Sequence, residues 1–290
     1  MIRWKPRSLR SLAALALLIC PVTAPSAALI NRELIPGARL IFPYYDVRPG
    51  THTFLLFTNV AEVTTNVGLN FYGRDCSKTS AIISLSPADI DVVDVGAIVG
   101  SDPTGPFGQG FVDAETNRDH LLGTTVIVDV AHDWMVLIPA APTQALEGGA
   151  TPYRQFPSQL FLPAFLTPGP PGSSPVVDGL LILTAPHPTT PGAALPEQPI
   201  QVVLVITDRD GRIVNRLLEG HQVIVPLDQL TSGLPPLTLA WMELTNRATD
   251  ESGQPIGLVG VFIQNLGGGG GGGMAMATRL WRVWSHPLFP

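Results

Sequence analysis

The residues with the clearest capacity for chemistry lie at 113–119, in a stretch that reads Asp-Ala-Glu-Thr-Asn-Arg-Asp. Oxygen-bearing side chains recur at every second position, as at the start of a calcium-binding loop, because a hard cation prefers several carboxylate and amide oxygens. An EF-hand would need glycine where Arg118 stands and glutamate where Thr124 stands. The pattern therefore predicts either a calcium site of another kind or a solvated polar loop. The ligands of such a calcium site would be Asp113, Glu115, Asn117 and Asp119.

The histidines are scattered along the chain and do not form a metal or catalytic motif. Neither His-x-His nor His-Glu-x-x-His occurs, no cysteine pair completes a zinc site, and no Gly-x-Ser-x-Gly sequence marks a nucleophile elbow. This distribution predicts that the protein is not an enzyme and holds no cofactor beyond the calcium of that one alternative. The six positions are His52, His120, His132, His187, His221 and His286.

Cys76 stands apart from the other cysteine, Cys20, which lies in a predicted export signal. Cleavage of that signal would leave Cys76 without an internal partner, although exported proteins commonly form disulfides. Its neighbours at 74–78 include no catalytic partner. Cys76 is therefore expected to be an unpaired thiol at a strand end or, alternatively, an intermolecular crosslink.

Residues 1–28 have the three parts of a secretory signal peptide. Four basic residues lie in the first ten positions, an apolar run follows at 12–19, and small residues stand at 24 and 26–28. The apolar run is too short to span a bilayer, and no later run reaches about 18 apolar residues. We therefore predict cleavage after Ala28 and a mature chain without a transmembrane span, which is secreted, periplasmic or at the cell surface. A retained anchor and a lipid on Cys20 are the alternatives.

The charge balance argues against nucleic-acid binding. The chain has 17 basic and 23 acidic residues, a formal net charge of −6. Loss of the predicted signal would leave 13 basic residues against 23 acidic ones, a net charge of −10. Since nucleic-acid binding needs a basic patch or stripe, the expected partners are a protein, a second copy of this chain or a glycan.

Turn residues interrupt the chain so often that long helices are not expected. Glycine and proline each occur 29 times. Between the turns lie short runs with strand character, such as the alternation of Val67, Leu69 and Phe71 with polar or small residues. The sequence Asp-Arg-Asp-Gly at 208–211 suits a hairpin turn, because Asp-Gly readily adopts positive φ angles. The sequence predicts an all-β fold.

Composition divides the chain into four parts: a signal peptide at 1–28, a strand-rich half at 29–140, a proline-rich connecting segment at 141–198 and a second half at 199–290. Seven glycines at 267–273 predict a mobile loop between two strands. Residues 82–90 and 223–230 resemble each other weakly. This similarity indicates either an internal repeat or convergence on a common turn pattern.

The run Phe-Leu-Leu-Phe-Thr-Asn at 54–59, followed by Val-Gly-Leu-Asn-Phe-Tyr at 67–72, resembles the strand-turn-strand pattern of exported bacterial immunoglobulin-like domains. The resemblance implies an immunoglobulin-like β-sandwich with a surface or interaction role, and it carries over no site residue. Trp134 and Trp241, one in each half, are expected to pack in the sandwich cores.

Together these features predict an exported, non-catalytic structural or binding protein of the cell envelope or the extracellular space. A carbohydrate-binding module is the alternative, and a secreted hydrolase comes third. The hydrolase would need a histidine and carboxylates to converge in one cleft. The carbohydrate-binding module would need exposed aromatic faces for sugar stacking. The candidates for such faces are Tyr44, Tyr45, Trp281 and Trp284.

Overall fold

Strands dominate the fold because runs of branched and aromatic residues alternate with turn residues along the chain. A computed structural model describes residues 36–100, 105–130, 134–143, 156–170, 176–187, 199–250, 253–267 and 274–282. This part of the chain contains 18 strands, with antiparallel pairing throughout, and two five-residue helices. The predicted all-β sandwich is confirmed. The predicted signal peptide lies outside the described residues.

The first half of the chain forms a two-sheet sandwich, which we call the first repeat. Its strands are β1 (Arg39–Asp46), β2 (Thr51–Asn59), β3 (Thr65–Gly73), β4 (Lys78–Leu85), β5 (Ile90–Asp94), β6 (Gln109–Glu115), β7 (Leu121–Asp129), β8 (Trp134–Pro139) and β9 (Ala141–Thr143). Helix α1 (Val95–Val99) follows β5. Sheet A has the strand order β4-β3-β6-β1-β9, and sheet B has the order β5-β2-β7-β8.

The second half forms another sandwich, the second repeat. Its strands are β10 (Gln159–Leu166), β11 (Val176–Thr184), β12 (Ile200–Asp208), β13 (Ile213–Gly220), β14 (Gln222–Pro226), β15 (Leu239–Asn246), β16 (Val259–Gly267), β17 (Met274–Arg279) and β18 (Trp281–Arg282). Helix α2 (Leu227–Thr231) follows β14. Sheet C has the order β13-β12-β15-β10-β18, and sheet D has the order β14-β11-β16-β17.

The two repeats have the same topology, strand for strand. Sheet C reproduces the order of sheet A, sheet D reproduces that of sheet B, and each short helix follows the fifth strand of its repeat. The weak match read from the sequence was out of register, because the partner of 222–231 is 90–99, the fifth strand and its helix, rather than 82–90.

Two local features show the repeat at the level of single residues. The first strand of each sandwich has a register shift at a proline, Pro43 in Leu-Ile-Phe-Pro-Tyr-Tyr and Pro163 in Leu-Phe-Leu-Pro-Ala-Phe. The seventh strands place Gly123 and Gly260 against the first strands. A Cβ atom at Gly123 would lie 2.6 Å from Phe42 Cζ, and one at Gly260 would lie 2.9 Å from Leu160 Cδ1. A side chain at either position would displace the ends of these core side chains, so both positions favour glycine.

Each repeat buries an apolar core between its two sheets. In the first repeat the core includes Leu40, Phe57, Leu69 and Val112, and in the second it includes Leu160, Leu183, Leu204 and Leu244. Inward residues alternate with outward ones along each strand, as a sandwich requires.

The tryptophan prediction was wrong. In β15 the buried residues are Ala240, Met242, Leu244 and Asn246, so the half-buried Trp241 faces away from the core of its sandwich. Trp134 is also half-buried, and it packs against an apolar cluster that links the two repeats. For Trp241 the alternation was recognised correctly, but its phase was assigned to the wrong face. Trp134 does lie on the same face of β8 as the buried Val136 and Ile138, but the cluster there lies between the repeats rather than within one sandwich.

The two repeats pack against each other through the outer face of sheet D. Ile182, Val261 and Ile263 on that face join Ile127 and Val136 of the first repeat in one buried cluster. Gln222 Nε2 also donates to the carbonyl oxygen of Pro43, at 3.3 Å. Residues 36–290 accordingly form one compact unit.

The proline-rich middle of the chain is structural rather than only connecting. The predicted boundary placed 141–198 outside both halves, yet this segment supplies β9 to sheet A, β10 to sheet C and β11 to sheet D. The first repeat ends with β9 and the second begins with β10. The apolar residues at 159–166 and 176–184 explain this, because they need a sheet in which to be buried.

Candidate functional site

The four predicted calcium ligands lie on two different elements of the structure. Asp113 and Glu115 lie on β6 with side chains on the outer face of sheet A, whereas Asn117 and Asp119 lie in the exposed loop that follows. Asp119 Oδ1 accepts a hydrogen bond from the backbone N–H of Ala38 at 3.0 Å. Both carboxylate oxygens of Asp113 are bound by Arg39.

No metal-binding group is found among the described residues, where no three His, Cys, Asp or Glu side chains are grouped suitably for an ion. The calcium site therefore stays a prediction from the sequence. His120 lies near the stretch, but its Nε2 is 2.7 Å from Thr65 Oγ1, a contact that ties the loop to the start of β3. His132 and His286 lie outside the described residues.

A buried ion pair joins β1 to β6 on the outer face of sheet A. Arg39 Nε and Nη2 donate to the two oxygens of Asp113, both at 2.8 Å, and the two side chains are 0% and 1% exposed. Asn70 Nδ2 donates to the carbonyl oxygen of Asp113, and Ser80 Oγ donates to Asn70 Oδ1. Arg39 and Asp113 are 74 positions apart, so no local sequence pattern indicates their pairing.

Burial and the charges of this ion pair shift the pKa values of two neighbouring groups, Glu115 and His187. Burial, and then the charge of Asp113, raise the pKa of Glu115. Burial, and then the charge of Arg39, lower the pKa of His187, which belongs to the second repeat. Both shifts disfavour the charged form, as expected for groups partly removed from water.

The ion pair belongs to a contact between the repeats rather than to an open cleft. Next to it on the same face, Ile41, Tyr72 and Phe111 pack with Val259 of the second repeat. The rings of Tyr72 and Phe111 are stacked, with centroids 4.8 Å apart. A bidentate pair covered in this way can orient two sandwiches, but it leaves no face for a substrate.

A second polar network lies at the bulge of β1. Two of the predicted sugar-stacking residues, Tyr44 and Tyr45, are buried there. Tyr44 Oη donates to Asp46 Oδ2 at 2.8 Å and accepts from Gln109 Nε2 at 2.6 Å. Tyr44 and Tyr45 are both buried, so neither ring is accessible to a glycan. Burial raises the pKa of Asp46, but the hydrogen bonds from Arg48 outweigh it and hold that pKa below its usual value.

The structure does not describe the rings of the other two predicted sugar-stacking residues, Trp281 and Trp284. The side chain of Trp281 and the whole of Trp284 lie outside the described structure.

Cys76 lies in the turn between β3 and β4, with φ of 67°. It is a free, partly exposed cysteine, and burial, then the charge of Asp75, raise the pKa of its thiol. The turn between β12 and β13 has Gly211 at the same place, with φ of 79°, and the same pair of backbone hydrogen bonds closes both turns. Cys76 therefore occupies a backbone position that the second repeat fills with glycine.

The outer face of sheet B is an exposed apolar surface that the sequence did not predict. We call it the apolar face. Its central rows run Val92–Leu56–Thr124–Pro139 and Asp94–Phe54–Val126–Leu137 across the four strands. A continuous apolar run such as 54–57 is typical of a strand buried on both sides, and this was the signal that could have revealed the face.

A smaller aromatic group lies on the outer face of sheet C. Trp241 and Phe161 are both half-buried, and they flank Glu243, which is directly opposite Phe161 on the neighbouring strand. Leu217 and Ile213 on β13 complete this exposed face.

Comparisons with known proteins give no family for the chain. No family model matches it, and no curated protein matches it closely enough to infer homology. Among solved structures, the chain is similar to the crystal structure of Thermotoga maritima 1070, at 16% sequence identity over 37% of this chain and 95% of that one, with a TM-score of 0.33. That degree of similarity identifies neither a family nor a function. The likeness to exported immunoglobulin-like proteins stays a prediction.

Neither of the two helices in the described structure is long and apolar enough to cross a membrane.

Proposed function

We propose that the protein is exported and serves a non-catalytic structural or binding role in the cell envelope or the extracellular space. The observation that carries the proposal is the apolar face of sheet B. Soluble monomers rarely expose a broad contiguous apolar patch, and such patches usually mark a site of interaction. An exposed sheet face that carries valine, leucine and phenylalanine suits contact with another macromolecule better than chemistry on a small substrate.

The polar groups of the described chain support the same role. Arg39 and Asp113 neutralise each other inside a covered contact, and Tyr44 and Gln109 are bound to Asp46 in a second buried network. These groups stabilise the joint between the sandwiches and the bulge of β1. Their hydrogen bonds to one another favour scaffolding over acid–base catalysis.

Export and the absence of turnover are tested in two steps. Expression of the full chain with its predicted signal should give a processed protein outside the cytoplasm, with Leu29 as its first residue by mass spectrometry. The purified protein should then show no turnover of chromogenic esters, glycosides or peptides above a heat-denatured control. A cytoplasmic, unprocessed chain would overturn the export proposal. Turnover that is lost in a histidine variant such as His52→Ala would overturn the non-catalytic one.

Glycan binding is the second candidate function, and Trp241 with Phe161 is the observation that favours it. A half-exposed indole beside a carboxylate on a flat sheet face can stack on a sugar ring and accept a hydrogen bond from its hydroxyl groups. Affinity electrophoresis in soluble polysaccharides tests this directly. Retardation that is lost in Trp241→Ala and kept in Leu217→Ala would support glycan binding, whereas equal mobility with and without polysaccharide would contradict it.

A further inference from the structure

The apolar face has the composition of an interface core. Its outward positions on β2, β5, β7 and β8 are mostly valine, leucine, isoleucine, phenylalanine and methionine. The charged or titratable positions in the paired rows are Asp94, at the β5 edge, and His52, in the last row of the face. Several side chains are strongly exposed, among them Ile90, Val92, Met135 and Leu137. Within the described residues, nothing covers them.

The second repeat shows what covers the equivalent face. Matching of the strand registers places Leu180 at the position of Phe54, Ile182 at that of Leu56 and Ile263 at that of Val126. In sheet D these residues pack against Tyr44, Ile127, Val136 and Ile138, which belong to the first repeat. The same face of the same fold is therefore covered, in this molecule, by another sandwich of its own kind.

We infer that the apolar face of sheet B is covered by the apolar face of a second copy of this chain, in a symmetric dimer. This inference rests on the proposed function and names the partner of the same surface. Two such sheets can pack face to face at a spacing of about 10 Å, with their side chains interdigitated, as the sheets of a sandwich do. A symmetric contact buries the same patch on both subunits and closes the assembly.

A head-to-tail arrangement fits less well. It would place the second repeat of one copy on sheet B of the next, through the surface equivalent to Tyr44, Ile127 and Ile138. The second repeat has Ala164, Gln264 and Thr278 at those positions, and these residues are small or polar. Of the four contact positions, only that of Val136 keeps a large apolar residue, Met276. A lipid surface also fits less well, because the paired rows of the face carry neither the tryptophan and tyrosine nor the lysine and arginine that mark membrane-binding surfaces.

The test is the mass of the purified protein in solution, under reducing conditions so that Cys76 cannot contribute a covalent dimer. Sedimentation equilibrium between about 1 and 200 µM should show a monomer–dimer equilibrium. Leu137→Lys would place two lysine charges, one from each subunit, in the apolar interface and should raise the dissociation constant of the dimer about 100-fold or more. Leu217→Lys is the matched control: Leu217 is 60% exposed and Leu137 is 53% exposed, but Leu217 lies on sheet C, so this variant should dimerise like the parent.

Val92→Lys, at the opposite edge of the face, gives an independent variant if Leu137→Lys fails to fold, as judged by circular dichroism. A parent protein that is monomeric at every concentration would overturn the inference, and so would a dimer that resists both face variants. Sedimentation with neutral phosphatidylcholine vesicles that is lost in Leu137→Lys would also overturn it, in favour of a lipid surface. None of these results touches the non-catalytic role, which the turnover assays test separately.

Discussion

At the scale of the residue, the two repeats provide an internal control for Cys76. Gly73, Arg74, Asp75 and Cys76 form a turn whose hydrogen bonds match those of Asp208 to Gly211. An L-residue in the left-handed region is strained by contact of its Cβ with the backbone, whereas glycine is not. The thiol therefore occupies its turn at a conformational cost that Gly211 avoids.

Replacement of Cys76 by glycine should stabilise the protein by about 0.5–1 kcal/mol. The replacement relieves the strain of the left-handed backbone, and the greater entropy of glycine in the unfolded chain offsets part of that gain. The reciprocal Gly211→Cys should destabilise it by a similar amount. Urea unfolding of both variants under reducing conditions checks the pair. Destabilisation by Cys76→Gly would show that the thiol makes a contact worth more than the strain. A Cys76-dependent dimer on non-reducing gels would assign the thiol to an intermolecular crosslink.

Glu115 makes a pH-dependent contribution to the free energy of unfolding, and the sign of that contribution follows from the surroundings of its carboxyl group. Its pKa is raised in the folded protein, first by burial and next by Asp113, so ionisation costs stability there. That cost is absent at low pH and appears as the pH rises above the usual value for glutamate. Glu115→Gln should therefore raise the melting temperature at pH 7, and the difference should vanish below about pH 4. The exposed Glu219→Gln should change little at either pH; an equal gain from both variants would contradict the assignment.

At the scale of the element, the outer face of sheet A depends on one buried ion pair that holds β1 to β6. Removal of one partner of such a pair leaves the other charge buried, which is more costly than loss of both. Asp113→Ala should therefore destabilise the protein by about 3–5 kcal/mol, and Arg39→Met/Asp113→Leu should recover much of that loss. Chemical denaturation of the single and double variants gives the comparison. Equal destabilisation by both would mean that the charge pair does not set the stability of this face.

Several individual strands and turns could be predicted from the sequence. The turn at 208–211, the strand at 67–71 and the two strands flanking the glycine run were predicted, and β16 and β17 do pair across that run. The first strands were harder to match, because Leu-Ile-Phe-Pro-Tyr-Tyr and Leu-Phe-Leu-Pro-Ala-Phe share a pattern but few identities. The proline at the bulge is the signal that relates them, since a ladder tolerates proline only at an edge or an irregularity.

At the scale of the whole molecule, the two sandwiches share a buried contact and should unfold together. Leu69 and Leu204 occupy equivalent core positions in β3 and β12, and both are fully buried. Leu69→Ala and Leu204→Ala should each cost about 2–5 kcal/mol and should shift the same single calorimetric transition. Two transitions, each sensitive to only one of the variants, would show that the repeats unfold independently.

The calcium hypothesis illustrates what sequence spacing cannot decide. Asp113 and Glu115 share a face of β6 as the alternation requires, but the partner of Asp113 is an arginine 74 positions away. Asp119 is bound to the backbone at Ala38, 81 positions away. Long-range pairs of this kind depend on the order of strands in the sheet, and that order is not encoded in any short stretch of sequence.

The sequence by itself determined that the chain is built of short strands, because glycine, proline and Asp-Gly turns stop the apolar runs before a long helix can form. It also determined where several of the turns lie. Only the tertiary structure decided which side of each strand is the core. The apolar patterns around Trp241 and Leu137 suggest that both side chains face the core, yet both lie on outer faces. The physical reason is that a period of two fixes two faces, whereas the packing of sheet on sheet chooses between them.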